Sequence, residues 1–378
     1  MNANSKSRNR KLFLWPPGAI FLGILFIHFL ATNPFGKPRI PLPAGVAAWF
    51  ADMALVFILW AHPLTARIGV ILAGLFLAVP CFLQAPPLIR FALMCGMFLP
   101  FAIAATPMLA PAISSYRARL AFLSSWLYTR QLKLRPREFD MVPLFYLLLA
   151  AAVCAVAMTA IIKVPASGFW LIVRWLAGAI MLSAFAGMLT AGHNFLTALM
   201  GVTAPSLMLS PWLSASVSEF WNKRWNPGMS VLFCKIVYEP LARRNPALAL
   251  FAAFVLSALM HMAVFYMAMG RWGIALANGA FFLVQPFLIL AERWLGVRQW
   301  SPAAGRAWTL AVLAIVSPLF VEPALQVVES SWGAQNSGLP PTLVLLVSAI
   351  VIEAFFSLAA LISCSGDDRK ALSPAKST

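Results

Sequence analysis

Long stretches without charge recur along nearly the whole chain, and they restrict it to very few architectures. Ala247 to Met269, for instance, contains no Asp, Glu, Lys or Arg, and a helix of about 20 such residues crosses the hydrocarbon layer of a bilayer. Lipid offers no partner to backbone N–H and C=O groups, so a segment of this kind spans as a helix with its hydrogen bonds closed internally. Ten candidate spans run from about Leu12 to Ala31, Pro43 to Ala61, Ile68 to Gln84, Phe91 to Ile113, Met141 to Ile162, Phe169 to Ala191, Ala247 to Met269, Ile274 to Glu292, Ala307 to Val327 and Thr342 to Cys364. The expected fold is therefore all-α, a single polytopic transmembrane bundle over residues 1–378. The opening Lys6-Arg8-Arg10-Lys11 before an apolar run has the outline of a signal peptide, but no small-x-small cleavage pattern follows, and it reads as a retained first span.

Composition agrees: 62% of residues are hydrophobic and 10% charged, with a mean hydropathy of +0.85. That excludes a cytosolic enzyme, a disordered tail and a secreted disulfide module. Five cysteines without C-x-x-C spacing indicate neither a disulfide framework nor a metal site. The net charge of +17 would suggest nucleic acid in a soluble chain. Here it resolves into topology, with no nucleic-acid partner. With the N-terminus in the cytosol, 22 of the 28 Lys and Arg residues fall in cytosolic segments, five fall on the opposite side, and Arg174 lies within a span. This is the asymmetry expected of a multi-pass membrane protein with both termini cytosolic. The basic loops could also attract anionic lipid.

One loop differs from the others. Between Gly192 and Asn245 the chain reads Ser216-Val217-Ser218-Glu219-Phe220-Trp221-Asn222-Lys223-Arg224-Trp225-Asn226-Pro227. Ser216 with Glu219 forms a capping box, which predicts a short helix from Val217 that stops before Pro227. Four-residue spacing would place Trp221 and Trp225 on one face and Asn222 and Asn226 on the next. Tryptophan favours the membrane interface, so the helix is expected to be amphipathic, interfacial and in a cytosolic loop.

The following span contains Ser257-Ala258-Leu259-Met260-His261-Met262. An imidazole within an apolar span has lost its hydration, and ionisable groups there usually face a protein interior or an aqueous cavity. Two readings are open: a functional histidine, or a neutral one hydrogen-bonded to Ser257 one turn back or to a neighbouring helix. His28, His62 and His193 sit near span ends, where packing or interface roles suffice.

The block from Ser216 to Asn226, followed about 35 residues later by Ser257-Ala258-Leu259-Met260-His261, resembles the wax-synthase branch of the membrane-bound O-acyltransferase superfamily, with its S-L-x-x-F-W-x-x-R-W-N and S-G-L-M-H-E motifs. The resemblance covers residues from about Pro211 to Leu295. Ala258 stands where the family has Gly, Met262 where it has Glu, and Asn222 where Gly is common. It implies transfer of an acyl group from acyl-CoA, a cosubstrate, to the hydroxyl of a lipophilic alcohol, with membrane lipid as surroundings and without cofactor or metal. His261 would be the general base. Asn226 would orient the alcohol or steady the oxyanion. Asn222, Trp221, Trp225, Arg224 and Ser257 would form the substrate site, the tryptophans through packing. Lys223 and Arg224 could meet the phosphates of coenzyme A.

Two other classes share the outline. A lipid or small-molecule transporter would have similar spans and usually broken helices in symmetric halves, and no internal repeat is visible. An intramembrane prenyltransferase would need paired Asp-rich motifs, yet only Asp52 and Asp140 precede Asp367-Asp368.

Overall fold

The computed structural model describes residues 40–59, most of 75–95, 133–134, 136–199, 202–203 and 206–332. The predicted spans Leu12 to Ala31 and Thr342 to Cys364, and most of Phe91 to Ile113, lie outside these residues. The chain divides into two compact units, residues 1–112 and 113–378.

In the first unit, helix α1 (Leu42–Leu59) coincides with the second predicted span. A two-residue strand β1 (Ile40–Pro41) pairs in parallel with β2 (Leu83–Gln84). The end of the predicted span Ile68 to Gln84 is therefore not helical: Val79–Phe82 form a 3-10 turn that runs into β2. Pro80 has no N–H to donate to a helical ladder, and Pro86 and Pro87 follow.

The second unit is built from long helices. α2 (Met141–Lys163) starts at Asp140, whose carboxylate accepts the Val142 N–H at 3.0 Å. α3 (Trp170–Leu199) extends the predicted sixth span at its C-terminal end. After β3 (Lys133–Leu134) and β4 (Val202–Thr203), which pair antiparallel, come two short helices, α4 (Val217–Glu219) and α5 (Pro227–Phe233). α6 (Pro246–Met269) and α7 (Trp272–Trp294) follow as an antiparallel hairpin, turned at Gly270, whose φ of 67° belongs to the left-handed region that glycine enters freely. Among the described residues α2, α3, α6 and α7 are the helices long and apolar enough to cross a membrane.

The predicted span Ala307 to Val327 is instead two helices, α8 (Pro302–Val316) and α9 (Pro318–Trp332), bent by 51°. Pro318 lacks the N–H that would bond the Ala314 carbonyl. The Ser317 hydroxyl donates to that carbonyl instead, at 2.8 Å. Counted as one broken span, the pair would be a fifth.

α9 packs on α3 and α7. At Gly178 of α3 a Cβ would stand 2.5 Å from a Val321 methyl of α9, so the two backbones approach as closely as glycine permits. Beside this contact the fully buried Arg174 pairs with Glu329 and Glu322, and Trp175 Nε1 donates to Glu322 at 3.0 Å. The apolar side chains of α2 and α3 directed away from the core, Phe145, Leu148, Val156, Ile172, Leu176 and Ile180 among them, are exposed, as a lipid-facing surface requires.

Candidate active site

The motif helix is tighter in sequence than in winding. Ser216 Oγ accepts the Glu219 N–H at 2.9 Å, the first half of the expected capping box. The other half is displaced by one residue, since the Glu219 carboxylate takes the Ala215 N–H at 2.9 Å. After α4 the backbone widens into a π turn over Phe220–Arg224 and leaves the helix at Trp225. A π turn advances five residues, so Phe220 and Trp225 stack, with ring centroids 5.5 Å apart and planes 14° apart. The expected shared face of Asn222 and Asn226 does not exist: Asn226 lies beyond the helix.

Asn226 adopts φ 42° and ψ 66°, a left-handed conformation that Asn enters more readily than other side-chain-bearing residues. It caps α5: Oδ1 accepts the Met229 N–H at 3.3 Å, while its own N–H points at Met208 Sδ at 3.3 Å. With Oδ1 used in the cap, the Nδ2 donors are the part of this amide that can serve a ligand. Asn222 is exposed and donates to Ser218 Oγ at 3.2 Å.

Arg224 is held within the protein. Its Nε donates to Glu219 at 2.7 Å and its Nη1 reaches the Leu209 carbonyl at 3.1 Å, pinning the segment that pairs with the motif through Met208 and Trp225. Burial opposes ionisation of Glu219, but the Ala215 N–H and the Arg224 guanidinium outweigh it and hold this carboxyl below its usual range. Lys223, beside Arg224, is exposed.

Trp221 turns inward rather than lying at a surface. Its Nε1 donates to Gln285 Oε1 of α7 at 3.0 Å, and its ring meets Phe254, Phe281 and Phe282 at centroid distances of 5.8, 6.1 and 5.7 Å.

His261 lies on the other side of the same aromatic group. Its ring stacks on Phe282 at 3.9 Å and has Phe320, in the first turn of α9, at 6.4 Å. The break at Ser317–Pro318 thus brings α9 over the imidazole. Nδ1 lies 2.8 Å from the Ser257 backbone carbonyl. A carbonyl can only accept, so Nδ1 must carry the proton of the neutral ring, and Nε2 is left with its lone pair. Nε2 makes no hydrogen bond among the described residues. Of the two readings left open by the sequence, the hydrogen bond one turn back to residue 257 is present, and it is made to the backbone carbonyl. Ser257 contributes to this through its backbone. No hydrogen bond links His261 to Asn226; Trp221, five residues before Asn226, packs on Phe282, and Phe282 stacks on His261.

Three polar residues of α7 complete the neighbourhood. Asn278, Gln285 and Glu292 recur every seven residues and are almost wholly buried. Gln285 takes the Trp221 N–H and donates to the Phe281 carbonyl at 2.9 Å. Glu292 accepts the backbone N–H groups of Val217 and Ser218 at 2.7 and 2.9 Å, capping the motif helix from another helix. Their spacing is the signal that could have marked them: within a span, two helical turns separate successive polar residues on a single stripe.

The site therefore joins a short polar segment to an intramembrane imidazole through aromatic packing. Residues 204–284, which hold both parts, match the Membrane bound O-acyl transferase family. The chain is also similar to the probable long-chain-alcohol O-fatty-acyltransferase 7 of Arabidopsis thaliana, 28% identical over 156 residues, covering 36% of this chain and 45% of that protein. Similarity to acyl-CoA–sterol O-acyltransferase 1 of Arabidopsis thaliana is 32% over 90 residues, 22% of this chain and 26% of the relative. The matches thus span less than half the length of either relative. The resemblance to the membrane-bound O-acyltransferase superfamily is borne out, and it rests on the segment that carries the motifs.

Proposed function

We propose that the protein is an integral membrane O-acyltransferase that moves an acyl group from acyl-CoA to the hydroxyl of a lipophilic alcohol, in the manner of the wax-synthase branch. The observation that carries this reading is the imidazole of His261, fixed by the Ser257 carbonyl as the tautomer with Nε2 free, on the segment matched to the family. In the reaction, Nε2 accepts the alcohol proton as the oxygen attacks the thioester carbonyl. The tetrahedral intermediate collapses, the C–S bond breaks, and the coenzyme A thiolate takes the proton back from the imidazolium. The Nδ2 donors of Asn226 suit the transient oxyanion, and Phe282 and Phe320 keep the imidazole out of bulk water. Acyl-CoA is a cytosolic cosubstrate, which agrees with a cytosolic motif loop and cytosolic termini.

The test is turnover of purified protein in lipid with labelled palmitoyl-coenzyme A and either hexadecanol or a sterol. Ester that forms with wild type and falls at least about 10²-fold with His261→Ala supports the reading. Undiminished turnover in a folded His261→Ala protein overturns the mechanism, and the absence of ester with every alcohol overturns the activity. The broken α8–α9 pair favours a second reading, a lipid transporter, because transporters build sites at helix breaks. Movement of lipid across vesicles containing the protein without acyl-CoA would support that alternative.

A further inference from the structure

Gln285 and Glu292, two members of the buried α7 stripe, have protein partners on the motif helix. Asn278, the third, does not. Its side chain is 0% exposed, and neither Oδ1 nor Nδ2 has a hydrogen-bond partner among the described residues. An amide left this way forfeits its hydration without recompense, so such groups are rare unless something else pairs them. At the adjacent Gly279 a Cβ would stand 2.5 Å from the side chain of Met262, the residue after His261, so α7 meets α6 closely beside the imidazole-bearing turn. Phe282, which stacks on the imidazole, lies one helical turn along the same buried face, about 6 Å along the axis.

We propose that Asn278 is a substrate-contacting residue that hydrogen-bonds a second oxygen function of the acceptor, about one helical turn from the hydroxyl that reacts at His261. This rests on the acyl-transfer reading and refines its substrate class. A simple fatty alcohol brings one polar atom, and general-base chemistry uses it at Nε2. Nothing in such a molecule would satisfy the amide, whereas a second hydroxyl, ether or carbonyl at the matching separation would take an Nδ2 hydrogen or give a proton to Oδ1. The preferred acceptor is thus a lipophilic alcohol with a neighbouring oxygen, and Asn278 sets that preference.

Matched probes isolate the effect: hexadecan-1-ol, hexadecane-1,4-diol and hexadecane-1,12-diol, each with palmitoyl-coenzyme A and full-length protein in lipid. Wild type should favour the 1,4-diol over the other two in kcat/KM. Asn278→Leu removes the unpaired amide without leaving a polar group, so it should fold; Asn278→Ala serves if the larger side chain does not fit. Either variant should lose at least about tenfold of the 1,4-diol preference, through KM, the loss falling on the 1,4-diol more than on the other two alcohols. An unchanged preference, an equal loss on all three alcohols, or no 1,4-diol preference in wild type overturns the proposal. Thermal shift separates this outcome from failure of the acyl-transfer reading. If wild type acylates no alcohol, that reading falls, and Asn278 is judged by whether the 1,4-diol raises Tm of wild type but not of Asn278→Leu; equal shifts overturn it.

Discussion

In the α2–α3 hairpin the buried surface is mainly alanine, methionine and other apolar side chains, and its buried cation, Arg174, is matched by Glu322 and Glu329 of α9. In the α6–α7 hairpin the buried polar residues are Ser257, Asn278, Gln285 and Glu292, with His261 half-buried, and the partners of Gln285 and Glu292 come from the motif helix outside the hairpin. The lengths and apolar character of the two hairpins are similar. In the first hairpin the buried charge ties one helix to another; in the second, the buried polar groups tie α7 to the motif segment or, at Asn278, have no hydrogen-bond partner among the described residues.

Substitutions on either side of this divide should separate in what they change. Arg174→Met leaves two glutamates without their cation. It should cost about 3 kcal/mol, the low end for a broken buried pair because both carboxylates are partly exposed, and lower Tm while turnover per folded molecule holds. A fall in turnover alone would give the first hairpin a catalytic role. His261→Ala should do the reverse, losing at least about 10² in rate, or roughly 2.7 kcal/mol of transition-state stabilisation, with Tm preserved.

Glu292→Gln keeps the shape but replaces a carboxylate that accepts two N–H groups. It should cost about 2 kcal/mol and reduce turnover too, because the motif helix it caps carries Trp221 and leads to Asn226; thermal melts and initial rates read the two effects. Asn226→Ala loses both a cap and a tolerated left-handed residue, about 1 kcal/mol each. Asn226→Gly should recover most of that stability without recovering rate if Nδ2 meets the oxyanion. Equal recovery of both would confine Asn226 to structure.

The smallest effect is expected from Glu219→Gln, about 0.5 kcal/mol for a partly exposed ion pair with Arg224. Since the folded protein holds this carboxyl below its usual range, its stabilisation is present above the ordinary carboxylate pKa and is lost as pH falls through the depressed value. The wild type should therefore lose its margin over Glu219→Gln in acid, and a margin independent of pH would remove the ion pair from the account.

The apolar runs were enough to place the second-unit helices α2, α6 and α7 within a few residues, and α3 apart from the extension of its C-terminal end to Leu199, because a bilayer imposes length and hydrophobicity on a span whatever its neighbours are. Ser216, Glu219 and His261 were legible for the same local reason: a cap acts within one turn, and an imidazole in an apolar run is conspicuous. The break in the ninth predicted span was less legible, because proline in a membrane helix is tolerated when a neighbour such as Ser317 takes over the freed carbonyl.

What the sequence by itself determined is the set of local facts: which stretches are apolar enough to span, where a helix is capped, and which polar side chains stand out within apolar runs. Tertiary structure decided the rest. The π turn that separates Asn222 from Asn226, the inward placement of Trp221, the use of Arg224 as a clip, and the approach of Phe320 to His261 depend on contacts between residues far apart in the chain. Winding and orientation are set by which donors and rings can be satisfied at once, and partners separated by 60 or more residues, such as Trp221 with Gln285 and Ser218 with Glu292, leave no trace in local spacing.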